Sequence, residues 1–190
     1  MITSSLSLLI SLCKMSPPLL LSSSMSHPID LTDEGPSHDN QNDLCFQFFV
    51  PLEPVPMARP RRGAHGIFYN PSAKAVKDYR AFLSGCCNER GMSLPVFSFG
   101  TPVELTIVFR KRRPLSHFVG RCLERGLRSD APSEIHVGKP DLDNLDKVVM
   151  DAATSVLYDD DSQVYIMTSM RLWAAGSHNG SSTVKIRSPS

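Results

Sequence analysis

The sequence predicts an α/β domain of the α+β kind, one compact unit with a mixed β-sheet and flanking helices, and three patterns carry that prediction. Val103, Leu105, Ile107 and Phe109 alternate with Glu104, Thr106 and Arg110, the two-residue period of a half-buried strand. Leu145, Val148, Val149, Ala152 and Val156 recur at i, i+3, i+4, i+7 and i+11, which lines them up as one apolar stripe of a helix. Strand-like and helix-like segments follow one another from about residue 44, in a chain of 190 residues with 41% hydrophobic content, enough for one core and no comparable second domain.

Taken in order, residues 1–43 read as an extension, disordered or targeting, and 44–190 as the folded domain. Met1 to Ser24 is rich in serine, with Lys14 its only basic residue, so it is unlike an arginine-rich transit peptide. Serines and Pro17-Pro18 break its apolar runs, and no membrane span is expected. Met15 and Met25 are alternative starts. Residues 26–43 are polar, acidic and rich in turn formers, a disordered composition. Cys45 to Val50 is rich in strand formers, and prolines 51, 54, 56 and 60 then predict an extended, arginine-bearing arm. A helix is expected from about Ser72 to Arg90, a strand from Val103 to Arg110, and a loop over 111–135. A short strand at Glu134 to Val137 is expected to deliver Lys139 to a helix that Asp141 or Asp143 starts as N-cap. Val164, Ile166, Met170 and Leu172 mark one side of a long strand, and Gly176 to Gly180 a turn before a strand at Thr183 to Ile186.

Composition narrows the chemistry. Five cysteines, odd in number and without a Cys-x-x-Cys, exclude a disulfide framework and a zinc site, and Cys86 and Cys87 read as helix packing. The six histidines show no ligand spacing. His117 and His136 are candidates for a phosphate contact, with a hydrogen-bonded structural role the stronger reading; Trp173 reads as packing rather than base stacking. Net charge is only +1, yet it is unevenly spread. Residues 59–139 hold fifteen Lys or Arg against six Asp or Glu, a balance of +9, and residues 141–161 hold seven Asp against one Lys, a balance of −6. Basic flanks around an acidic centre suit a protein that draws phosphates to the flanks and divalent cations to the centre. The candidate DNA contacts are Arg59, Arg61 and Arg62 in one cluster, Arg110, Lys111, Arg112 and Arg113 in another, and Lys139.

The acidic centre has a definite layout: Lys139-Pro-Asp-Leu-Asp-Asn-Leu-Asp-Lys147, then Asp151, then Tyr158-Asp-Asp-Asp-Ser-Gln-Val164. Asp143, Lys147 and Asp151 are four apart and share a helix face, so the lysine sits beside a carboxylate and within reach of an anion held there. Magnesium takes oxygen ligands, keeps several waters and needs only one or two carboxylates beside substrate phosphates. Taken singly, an Asp-x-Asp at a helix start is most often a cap, and three aspartates in a row are most often a solvated turn. Asp146 and Asp151 read as surface or supporting residues. A calcium loop is excluded, since neither Asp141 nor Asp159 begins a run with the required glycine and glutamate.

These residues, together with Arg59-Pro-Arg61, Phe68-Tyr-Asn-Pro71, Arg113-Pro-Leu-Ser-His117 and Ala131-Pro132, make the chain similar to the RusA family of Holliday junction resolvases over most of residues 44–173. The resemblance implies a RusA-like fold and a crossover junction endodeoxyribonuclease, a hydrolase of phosphodiester bonds acting in recombination and repair. It implies Mg2+ (with Mn2+ a substitute) held by Asp141, Asp143 and Asp161, and a catalytic Lys147; Asp160 stays open as the alternative turn ligand. It further implies branched DNA, a four-way junction, as the partner and a homodimer with two sites; composition, not the resemblance, suggests an intracellular protein, with cytoplasm, nucleus and organelle all open. Two rivals stand beside it: a non-catalytic branched-DNA-binding protein, and a metal-dependent nucleotidyl or glycosyl transferase, for which the chain lacks length and a Gly-rich loop.

Overall fold

Around a central strand whose inward side chains are completely buried, the chain builds a four-stranded mixed sheet with two helices on one face. The computed structural model describes residues 44–63 and 66–189, so the expectations for residues 1–43 lie outside the described residues. In chain order the elements are β1 (Cys45–Val50), β2 (Arg61–Arg62), β3 (Phe68–Tyr69), α1 (Ala73–Glu89), β4 (Val103–Lys111), α2 (Leu142–Ala153), β5 (Val164–Trp173) and β6 (Ser181–Arg187). The main sheet runs β1-β6-β4-β5, with β4 and β5 parallel and the other pairs antiparallel. β2 and β3 form a separate two-stranded ribbon. Among the described residues no helix is long and apolar enough to cross a membrane.

The alternation in β4 is met in full: Val103, Leu105, Ile107 and Phe109 are buried while Glu104, Thr106, Val108 and Arg110 stay half-exposed on the far face. Register carries that division across the sheet, because side chains of paired residues share a face. Ile186 and Val184 of β6 sit opposite Leu105 and Ile107, and Phe48 of β1 sits opposite Val184. Tyr79, Phe82, Leu83, Cys86 and Cys87 of α1, and Leu145, Val149 and Ala152 of α2, close over this inner face. The helix stripe thus does what its spacing predicts, except that Val156 lies beyond the end of α2 and reaches the core from the following turn.

Three expectations need correction. Glu134 to Val137 makes no strand: only a bridge between Ile135 and Leu172 forms, with hydrogen bonds from His136 N to Arg171 O and from Trp173 N to Glu134 O, before Gly138 turns the chain away at φ 119°. The segment 111–135 contains three short 3-10 turns, Leu115–His117, Val119–Arg121 and Leu123–Arg125. β6 is longer than expected and lies between β1 and β4, a position that local sequence does not encode.

Candidate active site

The buried stripe of α2 fixes which side chains are left to face solvent. With Leu145, Val148, Val149 and Ala152 against the core, Asp143 and Lys147 project outward, one turn apart, with Lys147 Nζ 3.4 Å from Asp143 Oδ2. Both are well exposed, and such a pair contributes only about 0.3–0.5 kcal/mol. Asp141 occupies the N-cap position in extended geometry, yet its side chain makes no capping hydrogen bond. Two carboxylates and an ammonium are therefore gathered at one helix start, joined among the described residues only by the exposed Lys147–Asp143 pair. Lys139 is exposed two residues earlier.

Asp146 differs from its neighbours, and of the two readings left open for it, surface or supporting, the surface one is ruled out. It is only 5% exposed, and one carboxylate oxygen accepts a hydrogen bond from Ser169 Oγ at 3.0 Å while the other has no partner. Burial raises its pKa above the ordinary aspartate range, partly offset by the Ser169 hydroxyl and reinforced by the charge of Asp143. Asp151 is exposed, and its backbone carbonyl accepts from the Arg80 guanidinium.

The aspartate turn is organised by Gln163, a residue to which sequence reasoning assigned no role. Its Oε1 accepts from Asp159 N and Asp160 N, both at 3.0 Å, and its Nε2 donates to Ser98 O and Thr101 O at 2.8 and 2.9 Å. Asp160 caps the 3-10 turn Asp161–Gln163 by accepting from Ser162 N at 2.9 Å, which holds its carboxyl below the usual range. An acidic residue followed three positions later by Gln is a capping-box pattern, so the signal was legible. Among the described residues no hydrogen bond engages the carboxylate of Asp161, which is exposed.

The structure does not bring Asp161 to Asp141 and Asp143 within one chain. Asp146 meets Ser169 near the start of α2, whereas Tyr158 Oη donates to Met150 O near its end, and Asp161 lies on the Tyr158 side. Burial raises the Tyr158 pKa, and the charges of Asp161 and Asp151 raise it further. The seven residues from Asp143 to Met150 advance roughly 10 Å along a helix axis. Consistently, among the described residues no three His, Cys, Asp or Glu side chains converge in a group able to hold a metal ion.

The basic candidates divide. Arg59, Arg61 and Arg62 are all exposed. Lys111, Arg112 and Lys139 meet around an open cleft of about 530 Å³, with Pro114, Leu115 and Trp173 in its wall. Arg110 lies on the open sheet face, where its NH1 donates to Thr183 Oγ1 at 3.1 Å. Arg113 is a correction: at 6% exposure its guanidinium donates to the carbonyls of Ala174, Pro132 and Ser133, so it ties the 132–133 segment to the end of β5 rather than facing a phosphate. Trp173 packs as expected, with the ring of His136 at 4.1 Å and that of His117 edge-on at 4.9 Å. Both imidazoles pack on the Trp173 ring, His136 also lines the basic cleft, and neither Nδ1 has a hydrogen-bond partner among the described residues; burial lowers both pKa values, helped by Arg171 at His136 and by Arg113 at His117.

Residues 51–187 match the family model of endodeoxyribonuclease RusA, which covers most of the chain and includes both acidic segments, the arm and the cleft. The chain belongs to the RusA family. No curated protein matches it significantly. RusA membership makes the chain one of a family of endodeoxyribonucleases.

Proposed function

We propose that this RusA-family chain is a magnesium-dependent endonuclease that resolves Holliday junctions or related branched DNA in recombination and repair, and that it works as a homodimer. The observation that carries this reading is the helix start where Asp141, Asp143 and Lys147 stand exposed and unspent, beside the basic cleft of Lys111, Arg112 and Lys139.

The donor set fits a hard divalent cation. Asp141 and Asp143 offer carboxylate oxygens free of capping bonds, and magnesium with its waters and a phosphate needs no more than one or two carboxylates from one chain. When bound, magnesium (or manganese) supplies Lewis-acid polarisation of the scissile phosphate and an activated water. Lys147, held loosely by Asp143, is placed to offset the negative charge that builds on the phosphate oxygens, and Lys139, Lys111 and Arg112 orient the strand. If Asp161 is the third ligand, as the resemblance implies, a second copy has to present it.

Two features support that dimer. β5 is an edge strand whose Tyr165, Ile166, Met167 and Met170 are exposed, an apolar edge of the kind that proteins cover. Asp161 immediately precedes it. A C2 pair built on this edge would carry the Asp161 of each copy toward the other.

The test is cleavage of a synthetic four-way junction by purified full-length protein. Paired symmetric cuts in magnesium, their loss in EDTA and their return in excess magnesium or manganese are the expected results. Tight, metal-independent junction binding without any cut, by protein shown to be folded, would establish the non-catalytic alternative instead.

A further inference from the structure

The β2–β3 ribbon exposes more apolar surface than a structural hairpin needs. Ile67 and Phe68 are 69% and 70% exposed, and Tyr69 is exposed beside them. The register sets Arg61 opposite Tyr69 and Arg62 opposite Phe68. Directly paired residues share a side and successive residues alternate, so each side of the ribbon presents one guanidinium together with one aromatic ring.

A two-stranded ribbon that buries so little is not stable by itself, and it is the base of this one that is built. Ser72, buried, accepts from Ala58 N at 2.7 Å and donates to Pro56 O at 3.2 Å, joining the two stems. Asn70 Oδ1 accepts from Ser72 N at 2.9 Å and locks the return. Met57 N donates to Asn144 O at 2.7 Å, which ties the ascending stem to the first turn of α2, next to Asp143. The ribbon therefore rises beside the exposed carboxylates and not elsewhere on the domain.

The charge on the ribbon identifies the kind of surface that covers it. Arg59, Arg61 and Arg62 are exposed, and no salt bridge among the described residues engages them. A partner that is at once polyanionic and able to cover aromatic faces is nucleic acid whose bases are accessible for stacking, because every base has a π-face and every linkage a phosphate. Continuous duplex hides those faces; a branch point interrupts the stack. Resting on the branched-DNA reading above, we propose that Phe68 and Tyr69 stack on bases unstacked at the branch point while Arg59, Arg61 and Arg62 hold the flanking phosphates. The ribbon would then be the element that tells a junction from linear duplex.

The experiment uses full-length protein carrying Asp141→Asn, so that binding is read without cutting, and a four-way junction with 2-aminopurine beside the branch point. Binding is expected to raise the 2-aminopurine fluorescence. Phe68→Ala and Tyr69→Ala should each remove much of that rise and weaken junction binding by roughly tenfold, the loss of one base–aromatic stack, with linear-duplex affinity changed by less than about twofold. Phe68→Trp should restore both signals. Arg61→Ala with Arg62→Ala should instead weaken junction and duplex alike and flatten the salt dependence by about 0.9 in log–log slope for each phosphate no longer neutralised. An undiminished fluorescence rise in Phe68→Ala overturns the proposal, as does an equal loss on junction and duplex. A shift to monomer on sedimentation also overturns it, by showing that the ribbon covers a second copy. Junction-specific unstacking by the Asp141→Asn protein, together with a wild-type chain that never cuts the junction in magnesium, would overturn the nuclease reading while upholding the ribbon.

Discussion

At the start of α2 the aspartates are left unspent, whereas just past its end they are divided between structure and solvent. Asp141 stands where an N-cap residue stands and makes no cap, forgoing roughly the 1 kcal/mol that a capping side chain contributes. Among the described residues the Asp143 carboxylate is paired with an exposed lysine and makes no further hydrogen bond. In the later turn Asp160 does cap, and Gln163 binds the amides of Asp159 and Asp160 and two carbonyls of the 98–101 segment. The carboxylates of Asp159 and Asp161 are both left exposed, with no hydrogen bond among the described residues. The same residue type at two helix-like starts thus serves stability at one and is left free at the other, as the proposed metal site requires.

The largest effects should come from the reserved carboxylates. Asp141→Asn and Asp143→Asn should each lower cleavage by about 10³-fold or more, since a bound metal stabilises the transition state by several kcal/mol. Junction binding should hold or tighten, because a charge that repels phosphate is gone. Asp161→Asn should cut as poorly as Asp141→Asn, which joins the two ends of α2 functionally although one chain keeps them apart. Mixing the two inactive proteins decides how: if one copy supplies Asp141 and the other Asp161, about half of the dimers formed after random exchange carry one intact site. Single-strand nicks should then reappear without paired cuts. No nicking after verified subunit exchange would confine all three carboxylates to one chain.

Lys147→Ala sharpens the comparison at the unspent end. It should slow single-turnover cleavage on a saturated junction by about 10²-fold or more, the usual cost of removing one donor aimed at developing charge, with junction affinity little changed. Lys147→Arg should also be impaired despite its charge, because a planar fork does not occupy the place of a compact ammonium. Wild-type cutting by Lys147→Ala would reduce the lysine to a surface companion of Asp143.

How much of this was legible follows from which forces are local. β4 and α2 were readable because burial on one face writes a period of 2 or 3.6 into the chain, and the Asp141 to Lys147 motif was readable because its members share one helix. The place of β6 was not, since pairing between Leu105 and Ile186 is a choice made across the sheet. Arg113 was misjudged for a related reason: a run of four basic residues looks uniform, yet strand alternation and the following turn send Arg110 to the open face, Arg112 to solvent and Arg113 under the chain against three carbonyls. Asp161 was placed with Asp141 by resemblance, and only the hydrogen bonds of Ser169 and Tyr158 reveal the length of α2 between them.

The spent end of the comparison can be broken through Gln163. Gln163→Ala removes four hydrogen bonds from a buried amide, and a drop of about 2–3 kcal/mol is expected in urea unfolding. Cleavage should fall as well, because the turn that presents Asp161 loosens. Asp160→Asn, which keeps a capping oxygen, should fold and cut nearly as the wild type does. If Asp160→Asn proves the more damaging change and Asp161→Asn cuts normally, the assignment of the two carboxylates is reversed.

The smallest effect concerns Asp146, the aspartate on α2 that is neither reserved nor usefully spent. Its pKa is raised by burial above the ordinary value of 3.8, so between that value and its own the folded chain holds a proton that the unfolded chain has released. Stability therefore falls as pH rises through this window and stays reduced by this group above it; below 3.8 both states are protonated and the penalty vanishes. Asp146→Asn keeps an oxygen for the Ser169 hydroxyl and carries no charge to bury. Its expected signature is a modest gain in stability at pH 7 that disappears near pH 3, read by urea unfolding at both values. An equal difference at the two pH values would mean that Asp146 is ionised in the fold at no cost, with water or a cation at its unpartnered oxygen, and would move it to the side of the comparison where Asp141 and Asp143 stand.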